Sequence, residues 1–96
     1  MPIEEHVFTF AAEADFLQLY DRYGDRLYVV VDRAISQLLS HPESAPIVQG
    51  DIRRLVLPGT PFGLFYGVHG KRIAIVAILD LRQDPSSIKR RLKERS

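Results

Sequence analysis

Ile52–Pro85 reads IRRLVLPGTPFGLFYGVHGKRIAIVAILDLRQDP, and its reading decides the fold. At its centre, Ile73–Leu79 is an unbroken apolar run holding β-branched Ile73, Ile75, Val76 and Ile78. Its short length and β-branching favour a strand over a buried helical turn. A strand apolar on both faces needs cover on both, so it belongs inside a sheet. The preceding Phe62–Val68 puts Phe62, Leu64, Tyr66 and Val68 on one face, and Gly63, Phe65 and Gly67 on the other. His69-Gly70 between these strands suits a tight hairpin turn. Ile52–Leu57 is a third strand, separated from the second by the loop Pro58-Gly59-Thr60-Pro61. Three consecutive antiparallel strands therefore form a platform, and the rest of the chain must cover one of its faces.

Working outward towards the N-terminus, Ala12, Phe16, Leu19, Tyr20 and Tyr23 fall on one face of a helix over 11–23, with Gly24 as its stop. A second helix over 26–40, capped by Asp25, carries Leu27, Val30, Val31, Ala34, Ile35, Leu38 and Leu39 in the clearest helical period of the chain. His41-Pro42 ends it. Two helices joined this tightly pack as an antiparallel hairpin, whose apolar face is the natural cover for the sheet. Val7–Phe10 reads as an edge strand, with Thr9 able instead to cap the first helix, and 41–51 reads as a loop. Beyond the platform, Asp84 and Pro85 open a last helix. That helix is basic, and only Ile88 and Leu92 make an apolar pair on it. So thin an anchor leaves a helix this short unstable in isolation. The expected fold is α+β: an N-terminal helical hairpin on a three- to four-stranded antiparallel sheet, then a short basic C-terminal helix, in one domain over 1–96.

Composition narrows the function. The chain is 46% hydrophobic and 26% charged, ordinary values for a globular protein. It has no cysteine, which excludes disulfides and thiolate metal sites. No apolar run approaches the ~18 residues of a membrane span, and MPIEEHVF has no secretory pattern, so a cytoplasmic protein is expected. The net charge of +1 conceals an asymmetry. Residues 1–51 hold nine acids against three bases, a balance of −6, and 52–96 hold three acids against ten bases, a balance of +7. A basic half of this kind meets an anionic partner or the acidic half of its own fold.

No phosphate-binding glycine loop, nucleophile elbow or HExxH pattern occurs, and His6, His41 and His69 lack metal-ligand spacing. No metal or cofactor is expected. What remains is cationic. Arg53 and Arg54 are adjacent on a strand and point to opposite faces. Arg82 leaves the end of the long strand, where it either projects into a cleft or pairs with Asp80 or Asp84. Lys89 and Arg90 head the basic helix. A metal-free nuclease needs such cations around a phosphate, with a Tyr, His or Glu to move a proton. Arg53, Arg82 and Tyr66 are the residues that would have to converge.

Several motifs carry a family likeness: AEADF at 12–16, LLSHPES at 38–44, Arg53-Arg54-Leu55 followed by FGLFYGV at 62–68, and AILDLRQDP at 77–85. In order and spacing they resemble the RelE/ParE superfamily, the toxins of type II toxin–antitoxin (plasmid stabilisation) modules, over about residues 7–92. The resemblance implies growth inhibition on expression and a cognate antitoxin that wraps and neutralises the toxin. It also implies a target. RelE-like members cut messenger RNA on the ribosome with a basic set, onto which Arg53 or Arg54 and Arg82 map. Gly63 stands where that set has an arginine and Asp80 where a histidine is common, which weakens the endoribonuclease reading. ParE-like members poison DNA gyrase by binding, and that branch is slightly favoured. A non-toxic binding module of the same fold is the third reading. On any of them Arg53, Arg54, Lys89 and Arg90 are the candidate contacts to a target or nucleic acid, and Arg82 is the candidate catalytic residue.

Overall fold

The computed structural model describes residues 3–95. Strand β1 (Glu5–Phe8) leads into α1 (Phe10–Tyr23) and α2 (Asp25–Ser40). Strands β2 (Ile47–Gln49), β3 (Ile52–Val56), β4 (Phe62–His69) and β5 (Arg72–Asp80) follow, and α3 (Pro85–Arg95) closes the order. The architecture is α+β, with a helical hairpin on a mostly antiparallel sheet and a short basic helix at the end. The sheet has five strands rather than three or four, in the order β1-β5-β4-β3-β2. One extra strand is β2, inside the expected loop, where Ile47 pairs with Arg53. The expected N-terminal edge strand is β1, which runs parallel to β5 from Glu5↔Arg72 to Phe8↔Ile75. It lies two residues earlier than the predicted Val7–Phe10.

Local chemistry sets these boundaries. Thr9 Oγ1 accepts the Ala12 N–H at 3.1 Å, so Thr9 caps α1 and Phe10 already belongs to the helix. Gly24 separates the two helices at φ 63°, a left-handed value that favours glycine. Asp25, expected as the cap, is instead the first residue of α2, and its carboxylate accepts the Tyr20 hydroxyl at 2.6 Å. Between β4 and β5, His69 still pairs with Arg72. The two-residue turn is therefore Gly70-Lys71, one position later than expected, with Gly70 at φ 62°.

The hairpin covers one face of the sheet. Leu27, Val31, Ala34, Ile35 and Leu38 pack on Leu64, Tyr66, Ile73, Ile75 and Ile78. The other face carries a smaller cluster of Ile52, Phe65, Ala77 and Leu79 under Leu92 of α3. Both clusters draw on β5 because its register slips. Phe65 pairs with Ala77 and Tyr66 with Ile75, leaving Val76 as an extra residue. This bulge lets Ile78 rejoin Ile73 and Ile75 on the hairpin side, while Ala77 and Leu79 serve the α3 side.

The bulge also fixes α3. Its carboxylate-capped start, where Asp84 accepts the Ser86 N–H at 3.1 Å, is followed by half-buried Ile88 and fully buried Leu92. At the far end the Arg95 guanidinium grips Asp15 of α1, with Nη1 donating to Oδ2 at 2.6 Å and Nη2 to Oδ1 at 3.1 Å. Asp15 Oδ2 also accepts the Ile78 N–H at 3.0 Å, and Arg95 Nη1 donates to the Val76 carbonyl at 3.1 Å. These strand groups lie past the last β1 pairing at Ile75, so the ion pair caps the open part of the β5 edge. One side chain comes from each layer, and α3 is a docked helix rather than a frayed one.

Candidate functional site

The cations that nuclease chemistry would need at one point are held apart, each by its own strand position. Arg53 pairs in register with Tyr66, and both reach the α2–β2 loop. Arg53 Nη1 donates to the Ala45 carbonyl at 2.7 Å and the Glu43 carbonyl at 3.2 Å. The Tyr66 hydroxyl donates to the Pro42 carbonyl at 2.8 Å. Tyr66 is fully buried, and burial pushes its phenol above the ordinary value. Both side chains organise the loop 42–45.

Arg54 lies on the opposite face, half-buried beneath α3. Its stem crosses Gly63: a Cβ at that position would sit 3.3 Å from Arg54 Cγ and 2.9 Å from Leu81 Cδ2. The glycine found where the resemblance calls for a cation thus makes room for Arg54 and Leu81. Arg54 Nε is buried without a hydrogen-bond partner. It adjoins a cavity of about 110 Å³ whose lining includes Phe65, Ile88, Lys89 and Leu92. Lys89 and Arg90 themselves are exposed on α3.

Arg82 is at the far end of the sheet. Phe62 pairs with Asp80, so Arg82 lies beyond the Phe62 end of β4, four residues from Tyr66 along the strand, or roughly 13 Å. It is locked to Asp80: Nε donates to Oδ1 at 3.0 Å, Nη2 to Oδ2 at 2.7 Å and the backbone N–H to Oδ1 at 2.9 Å. These bonds, the side-chain ones foremost, hold the Asp80 carboxyl down at about 2. Between α1 and α3 the pair borders a polar cleft of about 280 Å³ that Arg22, Tyr23 and Arg91 also line. Arg53, Tyr66 and Arg82 therefore do not form one centre.

A larger feature lies at the tip of the helical hairpin. A groove of about 670 Å³ runs between the α1–α2 junction and the loop Pro58–Pro61. Leu27, Val30 and Phe62 form its apolar lining, Tyr23 and Val29 its exposed walls, and Arg22 and Arg26 its rim. Tyr23 meets Phe62 edge-on at 5.4 Å and carries the Arg22 guanidinium over its ring at 5.7 Å. Sequence reading assigned Tyr23, Leu27, Val30 and Phe62 to packing faces rather than to a groove, because the loop that completes the groove is distant in the chain. The only visible signal was surplus: Tyr23 and Val29 are large apolar residues at a hairpin tip, where a two-helix face has little left to cover.

Among the described residues no group of three or more His, Cys, Asp or Glu side chains is placed to hold a metal ion. Among them, too, no helix is long and apolar enough to cross a membrane.

No protein-family profile matches the chain, and no curated protein matches it by sequence. The fold is nonetheless shared. A chain solved as "Chromosomal ParDE TA system from P. aeruginosa" superposes with a TM-score of 0.57 at 24% identity, over 79% of this chain and 92% of that one. At that identity the likeness is one of fold.

Proposed function

We propose that this protein is the toxin component of a type II toxin–antitoxin module, neutralised by a cognate antitoxin, and that it acts by binding. The observation that carries the reading is the shared fold with a chain of a ParDE toxin–antitoxin system, over nearly all of that chain's length. The charge asymmetry supports it, since a half with a balance of +7 suits an acidic partner.

Binding is favoured over RNA cleavage by the state of the cations. Arg53 is engaged by loop carbonyls, Arg54 Nε is enclosed, and Arg82 is paired bidentately with Asp80. A phosphoryl-transfer centre needs several cations aimed at one point with a proton-transfer group beside them. ParE-like inhibition of DNA gyrase is therefore preferred to ribosome-dependent messenger RNA cleavage, in a cytoplasmic protein. On this reading the target-facing surface is the exposed side of α3, with Lys89 and Arg90, continued by Arg82 at the strand end. Arg54 supports that surface from beneath, while Arg53 on the other face holds the loop 42–45.

The test is induced expression in a bacterial host, alone and with the product of the adjacent small open reading frame. Growth, messenger RNA integrity and the DNA-damage response are followed together. Arrest with intact messages and a damage response, relieved by the neighbour, is the expected result. Arrest with cut messages would replace it by the endoribonuclease reading, and no arrest would leave a non-toxic binding module. If Arg82→Ala, Lys89→Ala and Arg90→Ala together left arrest at full strength, the α3 surface would be wrong.

A further inference from the structure

The cavity of about 110 Å³ beneath α3 is apolar except at two cations. Its carbon walls come from separate elements: Val48 of β2, Phe65 of β4, Leu81 past the end of β5 and Ile88 of α3. The cations are Arg54 of β3 and Lys89 of α3, and no carboxylate lines the space among the described residues. Arg54 is fixed by its backbone pairing with Phe65 and by its stem, which crosses Gly63. Its Nε is enclosed and donates to nothing. The ion pairs of the described residues are Lys71–Glu4, Arg72–Glu5, Arg82–Asp80 and Arg95–Asp15, so none reaches Arg54 or Lys89. A charged group shut away from water without an acceptor is costly, and folded proteins normally supply one. This fold does so for Arg95, whose guanidinium finds Asp15. The enclosed donor of Arg54, facing an apolar space with a second cation beside it, lacks the same anion.

We propose that this cavity binds a short aliphatic carboxylate, of the size of propionate or isobutyrate. The carboxylate sits on the Arg54 Nε–H, Lys89 neutralises it from the α3 side, and the aliphatic tail lies on Phe65, Leu81 and Ile88. Size sets the first limit. An apolar cavity of ~150 Å³ accepts a benzene-sized molecule, so one of about 110 Å³ accepts about five or six heavy atoms. Chemistry sets the second. The planar fork of a guanidinium matches the paired oxygens of a carboxylate. Lys89, exposed on α3, adds a point charge on a flexible stem. A phosphate fits less well, because it carries oxygens in every direction and would turn some of them towards carbon. Ligand sites generally combine an apolar lining with a few placed polar groups, and this cavity has that composition. An anion bonded to Arg54 and Lys89 also ties β3 to α3. The site needs neither an antitoxin nor a cellular target, so it stands apart from the proposed function.

The experiment titrates the full chain with sodium propionate and sodium isobutyrate at constant ionic strength, followed by NMR of the arginine Nε–H and methyl signals. Isobutanol, sodium phosphate and sodium chloride are the controls. Expected are saturable shifts of the Arg54 Nε–H and of the Leu81 and Ile88 methyls, slower amide exchange in α3, and a Kd on the order of a millimolar for so small a ligand. Arg54→Met keeps an apolar stem and removes the donors, and it should raise Kd roughly tenfold or more. Lys89→Met acts at an exposed position outside both cores, so it tests the site even if Arg54→Met does not fold, and it should raise Kd roughly threefold. An unchanged Kd in Lys89→Met, or in a folded Arg54→Met, would overturn the proposal. No saturation by about 50 mM would overturn it too and leave the cavity to water. Equal binding of isobutanol would show a merely apolar site, and tighter binding of phosphate an oxyanion site, and either would replace it. None of these results bears on growth arrest or its relief, so the toxin–antitoxin reading is tested separately.

Discussion

Asp15→Ala should destabilise this protein more than any exposed charge substitution. The carboxylate receives both arms of Arg95 and the Ile78 N–H, and the two side chains of the pair are only 14% and 20% exposed. Removing one partner of a buried pair costs about 3–5 kcal/mol, and an amide left without its acceptor about 1–3. These contributions overlap, and water reaches the pair in part, so about 3 kcal/mol is the working figure. A domain of this size has only about 5–10 kcal/mol of net stability. At ~4–8 °C per kcal/mol the melting temperature should fall by roughly 12–24 °C. Thermal and urea unfolding would be followed by circular dichroism for the parent, Asp15→Ala, Arg95→Met and the double variant. The double variant should cost less than the sum of the singles, with a coupling of about 1–3 kcal/mol. A fall of under ~4 °C for Asp15→Ala, or strictly additive singles, would refute the view that this pair joins the two layers.

Three further outcomes follow from the structure. Leu92→Ala removes the one fully buried side chain of α3 and should cost about 2–4 kcal/mol, with loss of α3 helicity by NMR before global unfolding. Tyr66→Phe takes the donor from the Pro42 carbonyl and should cost about 1 kcal/mol in urea titration, with the loop 42–45 losing amide protection. The Asp80 carboxyl should titrate near 2 by carbon-detected NMR and rise towards its ordinary value in Arg82→Ala. Because its folded value is depressed, the pair's contribution is complete above the ordinary carboxylate range and fades as pH falls through 2. Its exposure keeps that contribution small.

The sequence made legible whatever repeats at short range. The 3.6-residue period of α2 and the alternation in β4 placed the hairpin and its sheet, and the apolar run of β5 placed the strand between two neighbours. The run could not disclose the bulge at Val76, because seven apolar residues in succession offer no contrast between faces. Strand β2 was invisible for another reason: Ile47–Gln49 is too short to show a period and sits between Pro46 and Gly50. The parallel pairing of β1 depends on a partner strand 67 positions away. Arg53 and Arg54 fall on a strand and Lys89 and Arg90 on a helix as expected, and Arg82 past the end of β5 takes Asp80, one of its two expected partners, but the partners of Arg53 were not readable. Arg53 bonds to backbone carbonyls, which every residue carries alike. The arginine rim was missed because Arg22 and Arg26 lie in the acidic half, where the regional balance conceals a local excess.

The pairing of β1 with β5 bears on how the molecule is made. The amphipathic hairpin leaves the ribosome well before the strands that cover it. At about 5–20 residues per second, the forty positions from Ser40 to Asp80 take a few seconds to synthesise. Through that interval Leu27, Val31, Ile35 and Leu38 have no sheet to lie on. β1 can add to the sheet only after β5 exists, and Arg95 can reach Asp15 only after α3 has been made. β1 and α1 are thus locked in place only by segments made well after them, and a nascent chain halted anywhere before α3 lacks the far cover of Phe65 and Leu79.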